Sequence, residues 1–287
     1  MARRPENGSR AREVTHPRLL AIFAHADDET LLAGALLAKY AAKGAEVRLV
    51  CAAPGDEEQE DRLTRAAAIL GISLVTSLRY EPSPMWPASG RRSGADIGGV
   101  PFVQSEPIQS QAPLLARAPL TDLTSRIAGR LDEFLPHAVL THSPYGEYGH
   151  PDHTLVHRAA LSAFVQRDRP GSRLYCLAYP LPLVRLNERL MRFSGRDTRR
   201  MGPDGLFDLR AAVKAAPQKT GVVDVRAYVL ARQKAAQIYE QAVRAGPLPL
   251  KMLERSPLWV RRRFFGRAAV TRLFPPSHVF DEDLFGR

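Results

Sequence analysis

The segment LLAIFAHADDE, residues 19–29, joins a predicted buried strand to the beginning of a predicted helix. Its first five residues, 19–23, are all apolar, which is typical of a strand covered on both faces of a parallel sheet. Asp27, Asp28 and Glu29 then occupy the first turn of a helix predicted to run to about Lys43, where acidic side chains favour the helix dipole. The segment therefore predicts a strand–helix junction that carries one imidazole, from His25, and three carboxylates.

The rest of the chain alternates in the same manner. Further strands are predicted over 47–52, 74–78, 138–141, 174–178 and 222–225, and helices over 61–70, 120–135, 153–165 and 228–244. This alternation predicts an α/β fold with a mostly parallel, doubly wound, Rossmann-like sheet, in which ligands bind beyond the carboxyl ends of the strands. We expect a catalytic core over 16–180, a long substrate loop over 81–119, and a C-terminal extension over 181–287 that completes the same domain.

The composition limits the class of protein. With 287 residues, of which 45% are hydrophobic and 25% charged, the chain resembles an ordinary globular protein with one large core. It contains no apolar run long enough for a membrane span. Residues 1–15 lack the apolar stretch of a secretory signal, so we expect a disordered basic tail. Cys51 and Cys176, each in an apolar run, are expected to be buried reduced thiols, as in a cytoplasmic protein.

The net charge of +11 raises nucleic acid and anionic surfaces as partners. One local concentration of charge is the segment Lys251–Arg272, which interleaves basic and aromatic side chains: Arg261, Arg262, Arg263 and Arg267 with Trp259, Phe264 and Phe265. We expect this segment to be a solvated helix docked by its aromatic side. The alternative is a helix that lies on an anionic membrane surface.

A second cluster, His150-Pro151-Asp152-His153, follows the predicted strand over 138–141. His150 and His153 are three residues apart and can converge on one site from a turn that enters a helix. His153 and His157, four residues apart, could instead form a metal pair on that helix. His137 and His142 have no neighbouring carboxylates and are expected to be structural.

Imidazole and carboxylate groups are the ligands that zinc takes in catalytic sites, where three protein groups leave one position open for water. Both clusters follow predicted strands, so the carboxyl ends of the sheet would bring them together. The remaining acids and the remaining histidine could then transfer protons. The alternative for residues 27–29 is that their carboxylates only cap the helix.

These two motifs resemble those of the LmbE-like (PIG-L) family of zinc-dependent N-deacetylases. Members carry Ala-His-Pro-Asp-Asp-Glu after the first strand and Tyr-Gly-His-Pro-Asp-His after the fourth. The corresponding segments here are Ala24-His25-Ala26-Asp27-Asp28-Glu29 and Tyr148-Gly149-His150-Pro151-Asp152-His153. Leu78–Met85 and Asp283–Gly286 are similar to segments of the mycothiol-pathway branch. In the first of these, Glu81 and Pro82 replace an arginine and an aspartate in a region where the family contacts its sugar.

The resemblance implies a hydrolase that removes an N-acetyl group from an N-acetylglucosamine-type amino sugar in a small glycoconjugate. It implies that His25, Asp28 and His153 hold Zn²⁺ or a similar divalent metal, and that Asp27 is the general base for the attacking water. It further implies three supporting roles. His150 stabilises the developing charge and protonates the leaving amine, Asp152 orients His150, and Tyr148 donates to the oxyanion.

Two alternatives to this function stay open at the level of sequence. One is a zinc amidase that cleaves a larger acyl group from a sugar conjugate, and the other is a basic binding module for nucleic acid or membrane. Intact acids and histidines at every catalytic position favour an enzyme, because a binding module needs none of them. The expected partner is therefore a small N-acetylated sugar conjugate and not nucleic acid, and a homo-oligomer is compatible with the sequence.

Overall fold

The structure is a computed structural model that describes residues 16–85, 112–167, 169–178, 181–240, 254–277 and 279–286. Four of the sequence-based expectations fall wholly or partly outside the described residues. They concern the basic tail over 1–15, the middle of the long loop, 86–111, the end of the predicted helix, 241–244, and the beginning of the basic segment, 251–253.

Within the described residues, seven strands form one sheet in the order β3-β2-β1-β4-β5-β7-β6. The strands are β1 (Arg18–His25), β2 (Glu46–Ala53), β3 (Leu74–Ser77), β4 (Ala138–Thr141), β5 (Arg173–Leu177), β6 (Gly221–Asp224) and β7 (Arg267–Phe274). Strands β1 to β5 pair in parallel, and β7 runs antiparallel to β5 and to β6. The prediction of a mostly parallel, Rossmann-like sheet is confirmed.

Helices cover both faces of this sheet. They are α1 (Asp28–Leu31), α2 (Gly34–Ala42), α3 (Glu57–Leu70), α4 (Leu120–Phe134), α5 (Gly146–Gly149), α6 (Pro151–Gln166), α7 (Leu181–Phe193), α8 (Leu209–Lys214), α9 (Val229–Ile238) and α10 (Leu258–Phe265). Side chains of α2, α3 and α9 pack with Phe23 and Leu49 on one face. Side chains of α4 and α6 pack with Ile22 and Val139 on the other. Among the described helices, none is both long and apolar enough to cross a bilayer.

The helix predicted from Asp27 to Lys43 is two helices in the structure, α1 and α2, separated by a turn at residues 32–33. The side chain of Arg232, from α9, explains the interruption. Its Nη2 donates to the carbonyl oxygen of Leu31 over 3.3 Å, and a Cβ on Gly34 would lie only 3.0 Å from its Cγ. The break therefore comes from a tertiary contact with Arg232, which lies 201 positions further along the chain than Leu31.

The C-terminal part contains more regular structure than the sequence predicted. The region after residue 180, expected to be irregular, begins with α7. The segment Lys251–Arg272 was expected to be a helix, yet its residues from Arg267 onward form β7, which lies between β5 and β6 in the sheet. Pairing on both sides and full burial of Val270 favour the extended form there.

Candidate active site

Two loops meet at the carboxyl edge of the sheet. The β1 loop comprises residues 24–30 and the β4 loop comprises residues 142–153. Because β1 and β4 are adjacent and parallel, their carboxyl ends place the two loops side by side, where ligands bind in folds of this class. The two motifs that are far apart in the sequence thus form a single cluster.

Three of the predicted site residues direct one atom each toward a common point. His25 Nδ1 lies 3.2 Å from His153 Nε2, Asp28 Oδ2 lies 3.4 Å from the same nitrogen, and His25 Nδ1 lies 3.6 Å from Asp28 Oδ2. A tetrahedral zinc ion with bonds of about 2.0–2.1 Å holds its ligand atoms about 3.3–3.5 Å apart. The triangle therefore has the size that a small divalent cation requires, with donor types that suit zinc.

Asp152 orients the first of these histidines. Its Oδ2 lies 2.8 Å from His25 Nε2 and accepts the backbone N–H of Ser83, also over 2.8 Å. The hydrogen bond to Asp152 places the imidazole proton on Nε2, so that Nδ1 keeps its lone pair for a metal. The sequence predicted that Asp152 orients His150. In the structure its carboxylate contacts His25 instead, while its backbone N–H donates to His150 Nδ1.

Glu147 orients the second histidine, a role that was not predicted from the sequence. Its Oε2 lies 2.7 Å from His153 Nδ1 and 3.0 Å from His142 Nδ1, and its Oε1 accepts the Ser143 N–H over 2.7 Å. Burial alone would raise the pKa of Glu147, but the neighbouring His142 and His153 bring it down to about 2. The sequence signal is weak, since an acid between two glycines is also typical of a solvated loop.

His142 also lies close to Asp28 and His153, in a group that could hold a metal by distance alone. However, its Nε2 accepts the backbone N–H of Ala24 over 2.9 Å, and its Nδ1 faces Glu147. With both nitrogens engaged, His142 joins the two loops and has no lone pair left for a metal.

The alternative of a His153–His157 metal pair does not match the structure. The nitrogens of His153 face Glu147 on one side and the His25–Asp28 pair on the other. His157 Nδ1 donates to the carbonyl oxygen of His142 over 2.7 Å. His157 is therefore a buried support of the β4 loop.

His150 and Tyr148 stand beside the triangle of ligand atoms. The His150 ring centroid lies 4.6 Å from that of His25 and 4.9 Å from that of His153. Its Nδ1 accepts the Asp152 N–H over 3.3 Å, so the neutral ring carries its proton on Nε2. Burial, together with the nearby His25, holds the pKa of His150 well below its usual value. The Tyr148 ring centroid is 5.3 Å from that of His153.

Asp27 has an unusual backbone conformation, with φ at 117° and ψ at −27°. Such a conformation costs a residue with a side chain about 1–3 kcal/mol, and it persists only where surrounding contacts enforce it. Here the Asp27 N–H donates to Glu29 Oε2 over 3.0 Å, and Tyr239, from the C-terminal part, donates to Glu29 Oε1 over 3.1 Å. Burial and the carboxylates of Asp28 and Glu29 hold the pKa of Asp27 well above its usual value.

The family model described as PIG-L, GlcNAc-PI de-N-acetylase, matches residues 20–164, which are 145 of the 287 residues. The chain belongs to the PIG-L family. The matched region contains both loops of the candidate site, so the resemblance seen in the two motifs is confirmed.

Relatives of the chain include two proteins named 1D-myo-inositol 2-acetamido-2-deoxy-alpha-D-glucopyranoside deacetylase. The one from Mycobacteroides abscessus is 32% identical over 168 residues, a match that covers 56% of this chain and 60% of that protein. The one from Thermomonospora curvata is 28% identical over 293 residues, covering 91% and 92%. The chain spans only half to three fifths of the length of the mycobacterial relatives it matches.

Among solved structures, the N,N'-diacetylchitobiose deacetylase from Pyrococcus horikoshii superposes on the chain with a TM-score of 0.52. The two are 14% identical, and the match covers 90% of this chain and 84% of that one. At this identity the similarity shows a shared fold.

Proposed function

We propose that this chain is a zinc-dependent hydrolase that removes the N-acetyl group from an amino sugar. The observation that carries the proposal is the triangle of His25 Nδ1, Asp28 Oδ2 and His153 Nε2, with a carboxylate behind each imidazole. Three ligands with matched outer-shell partners are the pattern of a catalytic zinc site. The names of the two relatives, both deacetylases, support the choice of reaction.

His25, Asp28 and His153 would hold the metal. When bound, zinc polarises the amide carbonyl and lowers the pKa of the attacking water. Asp27 is the base in this proposal, because its raised pKa brings a carboxylate closer to the pH at which it both accepts and releases a proton. The same proton is then available for the leaving amine as the C–N bond breaks.

His150 would stabilise the negative charge that develops on the amide oxygen, by donating from Nε2. The second role implied for it, protonation of the leaving amine, fits Asp27 better. A histidine whose pKa is lowered is neutral, and loss of its remaining proton would leave an imidazolate. Tyr148, next to His150 and His153, is the further donor in this proposal.

The substrate we propose is an N-acetylated glycoside other than N-acetylglucosaminyl-inositol. Residues 81–83 lie directly against the site, since the Ser83 N–H donates to Asp152, and the Glu81 backbone pairs with residues 113–115 beyond the undescribed part of the loop. Pro82 cannot donate a hydrogen bond from its backbone and has no carboxylate for a sugar hydroxyl. Loss of one such hydrogen bond from a polar site costs about 1–3 kcal/mol.

The test is acetate release by the purified full chain, after removal of metal with a chelator and reloading with zinc. We expect turnover of at least one N-acetylated amino sugar, dependent on zinc, with N-acetylglucosaminyl-inositol a poor substrate. Comparison of N-acetyl with longer N-acyl glycosides separates the two hydrolase functions. Turnover of long-chain amides alone would replace the deacetylase by an amidase, and efficient turnover of N-acetylglucosaminyl-inositol would contradict the proposed substrate.

A further inference from the structure

The helix α10 exposes aromatic and basic side chains together. Trp259 is 74% exposed and Phe264 is 65% exposed. Only Phe265 packs inward, with the Arg232 guanidinium 3.9 Å from its ring centroid. The sequence predicted a helix docked by its aromatic side, and the structure contradicts this for two of the three rings. We call the exposed set the α10 patch, and it consists of Arg226, Trp259, Arg262, Arg263, Phe264 and Arg267.

The charge of the α10 patch is mostly unpaired. Arg226 forms an ion pair with Asp224. Among the described residues, no acidic side chain forms an ion pair with Arg262, Arg263 or Arg267. Four guanidinium groups and one carboxylate give this part of the surface a net charge of +3, beside two exposed aromatic rings. Charged side chains alone are ordinary on a solvent-exposed surface. Exposed aromatic rings beside them are typical of an interaction site.

The patch also borders an open cleft of about 400 Å³, lined by five of its members: Arg226, Trp259, Arg262, Arg263 and Arg267. Guanidinium groups bind phosphate oxygens in pairs of parallel hydrogen bonds. A cavity walled by four of them and one indole suits a phosphate group that is attached to an apolar body.

The α10 patch lies at the same edge of the sheet as the candidate active site. Arg267 begins β7 and pairs with Asp224 at the carboxyl end of β6, and Val270 pairs with Leu177 at the carboxyl end of β5. His25 is at the carboxyl end of the parallel strand β1. A surface that engages the patch would therefore face the same carboxyl edge of the sheet at which the candidate site lies.

We propose that the α10 patch docks the protein on the surface of a bilayer that contains anionic phospholipid. Trp259 and Phe264 lie about 140° apart around the helix, at about 100° per residue, with Arg263 between them. Single-stranded nucleic acid stacks successive bases on neighbouring aromatic rings, and the two exposed rings here point in different directions. A headgroup layer is deformable and accepts both rings, while arginine side chains reach the phosphates beside them.

The experiment uses the full chain and sedimentation with two kinds of vesicle, phosphatidylcholine alone and phosphatidylcholine mixed equally with phosphatidylglycerol. We expect binding to the anionic vesicles only, weakening as salt is raised. The double variant Arg262→Gln/Arg263→Gln should lower the partition coefficient about 30-fold, because each arginine near the surface contributes about fivefold. The double variant Arg262→Lys/Arg263→Lys should largely keep binding.

A matched control removes two exposed arginines elsewhere, Arg65→Gln/Arg158→Gln, with the same loss of net charge. It should change binding by less than threefold or so, since attraction falls off within about one Debye length of the bilayer. Turnover of a water-dissolved substrate should be equal in all these variants. Vesicle binding and turnover therefore test the docking proposal and the hydrolase proposal separately, and either proposal can fail alone.

A direct readout comes from Trp259, since Trp86 is the other tryptophan of the chain. In a Trp86→Phe background, the emission of Trp259 should shift to the blue on addition of anionic vesicles and become protected from a soluble quencher. Three outcomes would each overturn the proposal: no binding to anionic vesicles at low salt, equal loss in the control variant, or no change in Trp259 emission on binding. Tight binding of single-stranded DNA without vesicle binding would assign the patch to nucleic acid.

Discussion

The β1 loop and the β4 loop each supply one histidine to the candidate site, but they are held in different ways. The β4 loop orients its histidine from within, since Glu147 contacts His153 and the Ser143 backbone of the same loop. The β1 loop depends on other elements. His25 is oriented by Asp152 of the β4 loop, and Glu29, which accepts the Asp27 N–H within the β1 loop, is itself held from outside it.

The support for Asp27 extends into the C-terminal part of the chain, because Glu29 also accepts a hydrogen bond from Tyr239. The positive φ of Asp27, the proposed base, is enforced by these contacts, one of which comes from outside the loop. We infer that the β4 loop forms a stable platform, against which the reactive groups of the β1 loop are placed. Four predictions test this division, starting from the largest expected effect.

Removal of a ligand from the platform should have the largest effect. We expect His153→Ala to lose nearly all bound metal and all measurable turnover, because two ligands from the β1 loop cannot hold the ion alone. His157→Ala, on the same helix, should keep its metal, since His157 only donates to a carbonyl oxygen. Metal content by elemental analysis checks both, and equal loss in the two variants would restore the helix pair as the binding site.

Asp27→Asn tests the reactive part of the β1 loop. It removes the proposed base but no ligand, so turnover should fall about 10²–10⁴-fold while the metal content stays at the wild-type level. Asp28→Asn is the control, because its carboxylate is 3.4 Å from His153 Nε2 and belongs to the ligand triangle. If Asp27→Asn lost the metal and Asp28→Asn kept it, the roles of the two adjacent aspartates would be reversed.

If the division between the loops is correct, replacement of the two orienting carboxylates, Glu147 and Asp152, should lower the metal affinity to different extents. Replacement of such a carboxylate costs about 10–100-fold in metal affinity or activity. Glu147→Gln should stand at the upper end and also lower the thermal midpoint, because Glu147 holds His142 and Ser143 as well as His153. Asp152→Asn should stand at the lower end. Competition with a metal chelator measures both affinities, and a weaker effect of Glu147→Gln would mean that the β4 loop is not self-supporting.

The sequence predicted one part of this arrangement well. The mostly parallel sheet and the meeting of the two His/Asp clusters follow from local patterns, namely apolar runs followed by polar motifs at their ends. The choice of His25, Asp28 and His153 within those clusters is what the family resemblance implies. Each motif follows the end of its strand. Parallel strands have their carboxyl ends at one edge of the sheet, and this is enough to bring the two motifs together.

The supporting contacts could not be predicted in the same way. The partner of Asp152 depends on how α6 is placed under the β1 loop, and the role of Glu147 depends on its backbone turn, with φ at 53°. Strand β7 was missed for a related reason. Its side chains follow no clear period of two, and its extended form results from pairing with β5 and β6.

The smallest expected effect concerns the support of the β4 loop by His157. Burial lowers the pKa of His157, so the folded protein protonates it less readily than the unfolded chain does. In the unfolded chain a histidine binds a proton below about pH 6.5. As the pH falls through that value the unfolded state takes up more protons than the folded state, so the free energy of unfolding decreases, by up to about 1.4 kcal/mol per pH unit.

His157→Asn isolates this contribution, because the amide N–H can replace the Nδ1–H that donates to the His142 carbonyl oxygen but does not titrate. Between about pH 7 and about pH 5, the variant should lose about 1–2 kcal/mol less stability than the wild type. Denaturant unfolding at the two pH values measures the difference, and every other histidine is common to both proteins. An identical loss in the two proteins would show that His157 titrates normally, and that the β4 loop does not rely on a neutral imidazole at this position.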